Sequence, residues 1–354
     1  MTVCTRDMFP MIPIAIIGAG YWGPKLVRNF MESSSFHLRW LCDLSRSRAE
    51  QVLGSYTNVQ VSTNYAEVLA DPSVQAIAVA TPAGSHLDIA LAALRAGKHV
   101  LIEKPMAATY EAGKRLVHEA EHRGLTLMCD HTYCYTPAVH HVRELLQSGD
   151  LGEIQYLDMV RVLGLAQPDV DVIWDLAPHD LSILVHILPN GIKPVSISAV
   201  GSDPLDAGRC SVAYITVNLS NGTIAHIQVN WLYPIKVRTV IIGGSKRTIV
   251  WDDVSSMYRL SIFEHRTDVL SSVETDAELP RSLSIPSRPG EMIAPAIGER
   301  EALQGVVQEF ARAIRTATPA LTDGRHGLAV LRLLDAASRS LSRAGARIEL
   351  KDRP

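Results

Sequence analysis

The sequence predicts an α/β protein in two parts: an N-terminal, doubly wound parallel sheet, then an α+β part with an open, mostly antiparallel sheet. Three observations carry this. Over the first ~130 residues short apolar runs alternate with helical patterns, the signature of repeated β–α–β units. Where the first run meets the first helical stretch stands Gly18-Ala19-Gly20-Tyr21-Trp22-Gly23. Beyond Pro137 strand-like stretches dominate, and Asn221-Gly222 sits between two of them as a strong hairpin signal.

In chain order, Ile12–Ile17 reads as a strand, Trp22–Met31 as a helix, His37–Cys42 as a strand and Ser45–Leu53 as a polar helix. Gln75–Ala80 is a buried strand, followed by helix Ser85–Arg95, strand His99–Ile102, helix Thr109–His122 and strand Leu125–Cys129. A helix over Ala138–Gln147 stops at Gly149. From there to Phe263 the chain is mostly strands, among them Cys210–Leu219 and Thr223–Trp231 around the Asn-Gly turn. Gly243-Gly244 marks a second turn, before Arg247–Trp251. One helical stretch, Pro178–Leu188, interrupts this part. Residues His265–Gly298 lack periodicity and contain Pro280, Pro286, Pro289 and Pro295, which predicts a long loop or arm. Helices Glu299–Thr316 and Arg325–Arg343 close the chain. The expected domains are 1–131 and 132–354, the C-terminal helix being able to pack back on the first.

Composition narrows the function. The 354 residues are 47% hydrophobic and 20% charged, enough apolar material for substantial cores and too much for a disordered chain. A net charge of −3 gives no electrostatic case for nucleic-acid binding. No apolar run reaches the ~18 residues of a membrane span. Met8–Ala19 could pass for a signal peptide, but Pro10 and Pro13 interrupt it, Asp7 precedes it and it flows into the glycine motif. The five cysteines, Cys4, Cys42, Cys129, Cys134 and Cys210, are odd in number and form no C-x-x-C pair, so free thiols in a reducing cytoplasm are expected.

Gly18, Gly20 and Gly23 fit G-x-G-x-x-G in the required context, directly after a strand and opening a helix. Glycines there permit a tight turn and the close approach of a pyrophosphate, and the helix N-terminus offers unpaired N–H groups to it. Asp43 closes the second strand, where a carboxylate hydrogen-bonds a ribose 2′-hydroxyl and repels a 2′-phosphate. NAD is the expected cofactor. Arg46 and Arg48 lie just beyond and supply the NADP alternative.

Further motifs follow in order: Thr81-Pro82-x-x-x-His86, Glu103-Lys104-Pro105, Asp150-Leu151-Gly152-Glu153-Ile154, Asp175-x-x-x-His179 and Thr322-Asp323-Gly324. With the glycine motif, this series resembles the Gfo/Idh/MocA oxidoreductases over nearly the whole chain. The resemblance implies a Rossmann domain followed by an open-sheet domain. It implies cofactor contacts at Gly18, Gly20, Tyr21, Trp22, Gly23, Asp43, Arg46, Thr81, Pro82, His86, Glu103 and Lys104. It also implies that Lys104 sits near both nicotinamide and substrate, that His179 is the general acid/base with Asp175 orienting it, and that Pro105 carries a cis peptide. Where many members have Arg-Tyr or Arg-Phe, this chain has Tyr133-Cys134-Tyr135. Pairing into homodimers or homotetramers is the family habit.

Oxidising a secondary alcohol takes a hydride from carbon and a proton from oxygen, and a base titrating near neutrality accepts that proton best. A proline is tolerated in a helix's first turn, so the helix around Pro178 is expected to start near Asp175–Pro178, with Asp175 as its cap. His179 would then feel the positive helix end and stay neutral. Lys104, just past a buried strand, would polarise the reacting oxygen. Tyr135, Arg161 and Gln167 flank the expected site and are candidate substrate contacts, beside Lys104, Asp175 and His179. The segments Gly20–Pro24 and Trp174–Leu181 resemble a branch acting on sugars and nucleotide sugars, often at C3. The expected substrate is therefore a hexose or nucleotide-linked hexose, in amino-sugar, antibiotic or polysaccharide biosynthesis. The alternatives are an NADPH-dependent sugar 3-ketoreductase, a hydrolase working through transient C3 oxidation, and an inactive nucleotide-sensing regulator of the same fold. His118-Glu119-Ala120-Glu121-His122 matches the H-E-x-x-H zinc pattern but lies on a crossover helix, so no metal is expected.

Overall fold

The computed structural model describes residues 10–56, 58–162, 170–265 and 289–350. They fall into two compact units, one drawn from Met1–Thr136 and Arg300–Asp335, the other from Pro137–Glu299 and Ala336–Pro354. The sequence reading kept 132–354 together.

The first unit runs β1 (Ile12–Ile17), α1 (Gly23–Glu32), β2 (Phe36–Cys42), α2 (Arg46–Leu53), β3 (Gln60–Ser62), α3 (Tyr65–Ala70), β4 (Ala76–Val79), α4 (Ala83–Arg95), β5 (His99–Glu103), α5 (Tyr110–Arg123) and β6 (Leu127–Asp130), then a 3₁₀ turn at Thr132–Tyr135. Its strands pair in parallel in the order β3-β2-β1-β4-β5-β6. Helices must cover both faces of such a sheet, and β4 and β6 are accordingly buried at every residue. The order reverses beside β1, which makes the strand ends there a crevice for ligands. The sequence reading lacked β3 and α3. Both are short, and α3 is set by Asn64, whose side chain accepts from the Ala66 N–H at 3.0 Å.

The second unit contains α6 (Pro137–Ser148), β7 (Ile154–Val162), α7 (Val172–Ile187), β8 (Pro194–Ser202), β9 (Val212–Leu219), β10 (Ile224–Asn230), β11 (Val237–Gly244), β12 (Arg247–Asp252), β13 (Leu260–His265) and β14 (Pro289–Ile293). Helices α8 (Ala302–Thr316) and α9 (Gly324–Leu341) and strand β15 (Ile348–Glu349) end the described chain. The second sheet has the order β14-β13-β12-β11-β7-β10-β9-β8-β15. It is antiparallel except where β10 pairs with β7. Alternate residues of β9 and β10 (Ala213, Ile215, Val217; Ala225, Ile227, Val229) are fully buried, and α7 packs on these strands.

Two expectations need correction. Residues Pro289–Ile293 are a strand paired with β13, not loop; residues 266–288 lie outside the described structure. And α7 starts at Val172, not near Asp175–Pro178. Asp171 is its cap, accepting from the Trp174 N–H at 2.9 Å, and the buried Val172 and Ile173 begin the helix. Pro178 lies inside it and forgoes the hydrogen bond to the Trp174 carbonyl, which tertiary packing of a largely buried helix outweighs.

Helix α8 joins the first unit because its apolar stripe, Leu303, Val306, Val307 and Phe310, is buried in that unit's core. Phe310 stacks on Phe36 at 5.8 Å, and Phe36 meets Phe30 edge-on at 5.0 Å. Among the described residues no helix is long and apolar enough to cross a membrane.

Candidate active site

A parallel sheet points every strand's carboxyl end the same way. In the first unit that edge carries the turn after β1 (Gly18–Gly23), Asp43 after β2, Thr81-Pro82 after β4, Glu103-Lys104 at β5 and Asp130-His131 at β6. The glycine turn is shaped by its neighbours. Gly18 has φ +109°, and a Cβ there would lie 2.4 Å from the Ala80 carbonyl oxygen; one at Gly23 would lie 2.9 Å from the Gly18 oxygen. A Cβ at Gly20 would meet nothing within 4 Å. The outer glycines thus allow backbone to pack on backbone, while Gly20 leaves open space at the helix N-terminus. That is the fit a pyrophosphate requires.

Asp43 pins this turn. Its Oδ2 accepts from the Ala19 N–H at 2.8 Å, and its Oδ1 accepts from the Ser45 N–H at 2.9 Å and lies 3.6 Å from the Arg48 guanidinium. Two carboxylate oxygens offer about four acceptor sites, so a ribose hydroxyl can still be accommodated. Arg46 is engaged with the Val61 carbonyl at 3.2 Å and Glu50 at 3.6 Å. Tyr21 is 80% exposed and meets Trp22 edge-on, with the Lys25 ammonium 4.1 and 3.9 Å from the two ring centres.

The Glu103-Lys104-Pro105 turn follows β5, with Glu103 buried, Lys104 half-buried and the Lys104–Pro105 peptide cis. His86 braces it. The ring lies between the turns after β4 and β5, its Nδ1 2.9 Å from the Pro105 carbonyl oxygen and its Nε2 2.7 Å from that of Thr81, and the N–H of the neutral ring donates to one of the two. Burial pushes the His86 imidazole down. The sequence reading made His86 a cofactor contact. With 1% of its surface exposed and both nitrogens on backbone oxygens, it is instead a support for residues that line the edge.

Tyr135 also changes role. It is 7% exposed within the first unit's core, and its hydroxyl lies 2.9 Å from that of Thr322, which engages it in packing there. Asp130, His131 and Thr132 stand at the same strand edge, and an Asp-His-Thr run at the end of a predicted strand is the sequence signal of that position.

In the second unit, α7 carries Asp175 and His179 four residues apart and hence on one face. Asp175 Oδ2 accepts from the Trp231 indole N–H at 3.0 Å, a contact the sequence reading lacked. His179 lies two turns inside the helix, beyond the first turn where the dipole acts, so the expected neutralising effect of a helix N-terminus does not apply. Arg161 is not a surface group awaiting substrate. It is 3% exposed and grips Asp180 through two hydrogen bonds, Nε to Oδ2 at 2.8 Å and Nη2 to Oδ1 at 3.1 Å. Gln167 lies outside the described residues. Glu119 of the H-E-x-x-H run is ion-paired with Arg95 and Arg123.

Fold and strand-edge geometry define a nucleotide-binding Rossmann domain, and a family match makes the chain an oxidoreductase. Residues 12–131 match the model described as "Oxidoreductase family, NAD-binding Rossmann fold", and residues 139–250 match the "GFO/IDH/MocA C-terminal domain". The chain belongs to the Gfo/Idh/MocA family, and its first unit is an NAD-binding Rossmann domain. It is similar to the UDP-N-acetylglucosamine 3-dehydrogenase of Acidithiobacillus ferrooxidans, 28% identical over 320 residues that cover 89% of this chain and 93% of the relative. The solved structure of that bacterium's enzyme superposes with a TM-score of 0.80 at 24% identity, covering 95% of this chain and 99% of that one. GenD2 from gentamicin A biosynthesis, solved in complex with NAD, shares the fold at a TM-score of 0.80 and 20% identity, covering 99% of each chain.

Proposed function

We propose that this oxidoreductase oxidises a secondary alcohol, at C3, of a hexose or nucleotide-linked hexose to the keto sugar, using NAD. The observation that carries the reading is the likeness, over 89% of the chain, to a UDP-N-acetylglucosamine 3-dehydrogenase. When bound, the nicotinamide accepts the substrate's hydride.

The chain's own residues supply the rest. Lys104, held after β5 by a turn that His86 ties down, polarises the reacting oxygen and stabilises alkoxide character. His179 takes the hydroxyl proton, since histidine changes charge near neutrality, and Asp175 orients it. The glycine turn receives the pyrophosphate and Asp43 the adenosine ribose. The preference for NAD rests on Asp43: its carboxylate repels a 2′-phosphate, and it holds Arg48, the nearby cation that could otherwise receive one. Assembly as a homodimer or homotetramer in the cytoplasm belongs to the same proposal.

The test is a screen of UDP- and dTDP-hexoses with NAD and with NADP, followed by NADH absorbance and by identification of the keto carbon after borodeuteride reduction. Turnover of a nucleotide hexose at C3 with NAD is expected. Turnover confined to another class of alcohol overturns the substrate, and a clear preference for NADP overturns the cofactor.

A further inference from the structure

Two acids meet under the Lys104 turn. Strands β5 and β6 are parallel neighbours with Glu103 opposite Asp130 in register, so both side chains leave the sheet on the same face. Glu103 is 5% and Asp130 1% exposed, and the register sets the two carboxyl groups side by side. Each has a partner on one oxygen. Glu103 Oε2 accepts from the Lys104 backbone N–H at 3.2 Å, and Asp130 Oδ1 accepts from the Thr132 hydroxyl at 2.7 Å. The other two oxygens, Glu103 Oε1 and Asp130 Oδ2, are buried and receive no N–H or hydroxyl donor. A proton on one carboxyl would let it donate to the other, and a donor is what the two remaining oxygens lack.

The charges agree. Two ionised carboxylates in buried contact repel each other and forgo solvation, so one of them is driven to keep its proton. Burial, and for Glu103 the Asp130 charge as well, pushes both acids up. Facing the pair are Lys104, whose charge favours ionised Glu103, Cys129 beside Asp130, and Tyr135; His131 follows Asp130, with the His326 ring 5.3 Å from its own and the Lys104 charge acting on it. Lys104 is the cation among them, and its charge favours one ionised carboxyl.

We propose that Glu103 and Asp130 share a single proton, so that the pair presents one fixed negative charge to the Lys104 turn and positions it. The proton stays on one carboxyl and is hydrogen-bonded to the other; nothing is transferred to substrate. Glu103 is thereby a positioning residue and Asp130 its partner. The inference deepens the assignment of Lys104 made above, and its first test is independent of that assignment.

The experiment is infrared spectroscopy of the unliganded chain near neutral pH, in water and heavy water, for wild type, Glu103→Gln and Asp130→Asn. A band from one protonated buried carboxyl, shifted in heavy water, is expected in the wild type. It disappears in either variant, because the remaining acid then has an amide N–H to accept from in place of a second carboxyl, and ionises. The absence of a protonated carboxyl in the wild type, the intensity of two, or a band retained in both variants overturns the proposal. If neither variant folds, the wild-type intensity decides alone. The kinetic arm compares these variants with the double variant, which is isosteric and uncharged. If charge positions Lys104, the double variant falls about tenfold below either single one in kcat, with a smaller change in KM for the nucleotide. Equal losses in all three mean a merely structural role. Failure of the infrared test with turnover intact sinks the proton sharing alone; a shared proton in a chain that oxidises no sugar sinks only the substrate reading.

Discussion

The indole N–H of Trp231 donates to Oδ2 of Asp175 at 3.0 Å, from just past the end of β10 to the first turn of α7. Trp231 is 2% exposed, so its N–H must find a partner inside the protein, and Asp175 is that partner. The bond fixes the carboxylate one helical turn before His179. Trp231→Phe removes the donor and keeps most of the ring. A hydrogen bond to a charged group is worth roughly 1.5–3 kcal/mol, so kcat is expected to fall about tenfold or more. Circular dichroism should be unchanged. Full turnover in a folded Trp231→Phe protein would show that Asp175 is not oriented this way.

The glycine turn separates binding from folding. Gly20→Ala adds a methyl into open space at a residue whose φ is not positive. The melting temperature should not move, while the methyl occupies the approach of the pyrophosphate and weakens NAD about tenfold by calorimetric titration. Gly18→Ala meets the Ala80 carbonyl and a φ of +109° together, and destabilises the fold by about 1–3 kcal/mol or more in urea unfolding. If both variants lose stability alike, Gly20 serves the fold and not the nucleotide.

How much was legible follows from range. The β–α–β half was readable because its signals are local: apolar runs, a cap, a glycine turn and an acid after β2. The second sheet was readable as a class from Asn221-Gly222 and its flanking runs. Its strand order was not, since pairing β7 in parallel with β10 joins residues far apart in sequence. The α8 stripe Leu303, Val306, Val307 and Phe310 announces an amphipathic helix but not the unit that buries it. The partners of Tyr135 and Arg161 were illegible for the same reason: Thr322 and Asp180, which engage them, carry no mark of it in the sequence. The start of α7 was hidden for another reason: a proline usually marks a first helical turn, whereas here Pro178 is held inside a buried helix capped by Asp171.

His131 makes stability depend on pH. Burial, with His326 and Lys104 nearby, pushes its imidazole well below the usual range. The folded chain therefore keeps it neutral where the unfolded chain, with a histidine pKa of about 6.5, takes up a proton. Stability from this residue is present above about pH 6.5 and is lost as pH falls below it. In His131→Leu that loss is absent. The stability advantage of wild type over the variant should shrink by about 1 kcal/mol between pH 6.5 and 5.5, measured by urea unfolding at each pH. His86 and His99, also pushed down by burial, act the same way but cancel in the comparison. A pH-independent difference would place a charged His131 in the folded state.

Arg161 and Asp180 supply a test in which folding and substrate binding give opposite answers. Both are buried, at 3% and 1% exposure, and each oxygen of Asp180 meets a different guanidinium nitrogen. Removing one partner strands a buried charge and costs about 3–5 kcal/mol. Arg161→Ala is therefore expected to lower the melting temperature sharply, and Asp180→Ala to do the same. Arg161→Met with Asp180→Leu removes both charges and should recover much of the loss, because the desolvation cost goes with them. In that double variant KM for the sugar should remain close to wild type. A large rise in KM with stability restored would return Arg161 to the role of a substrate contact.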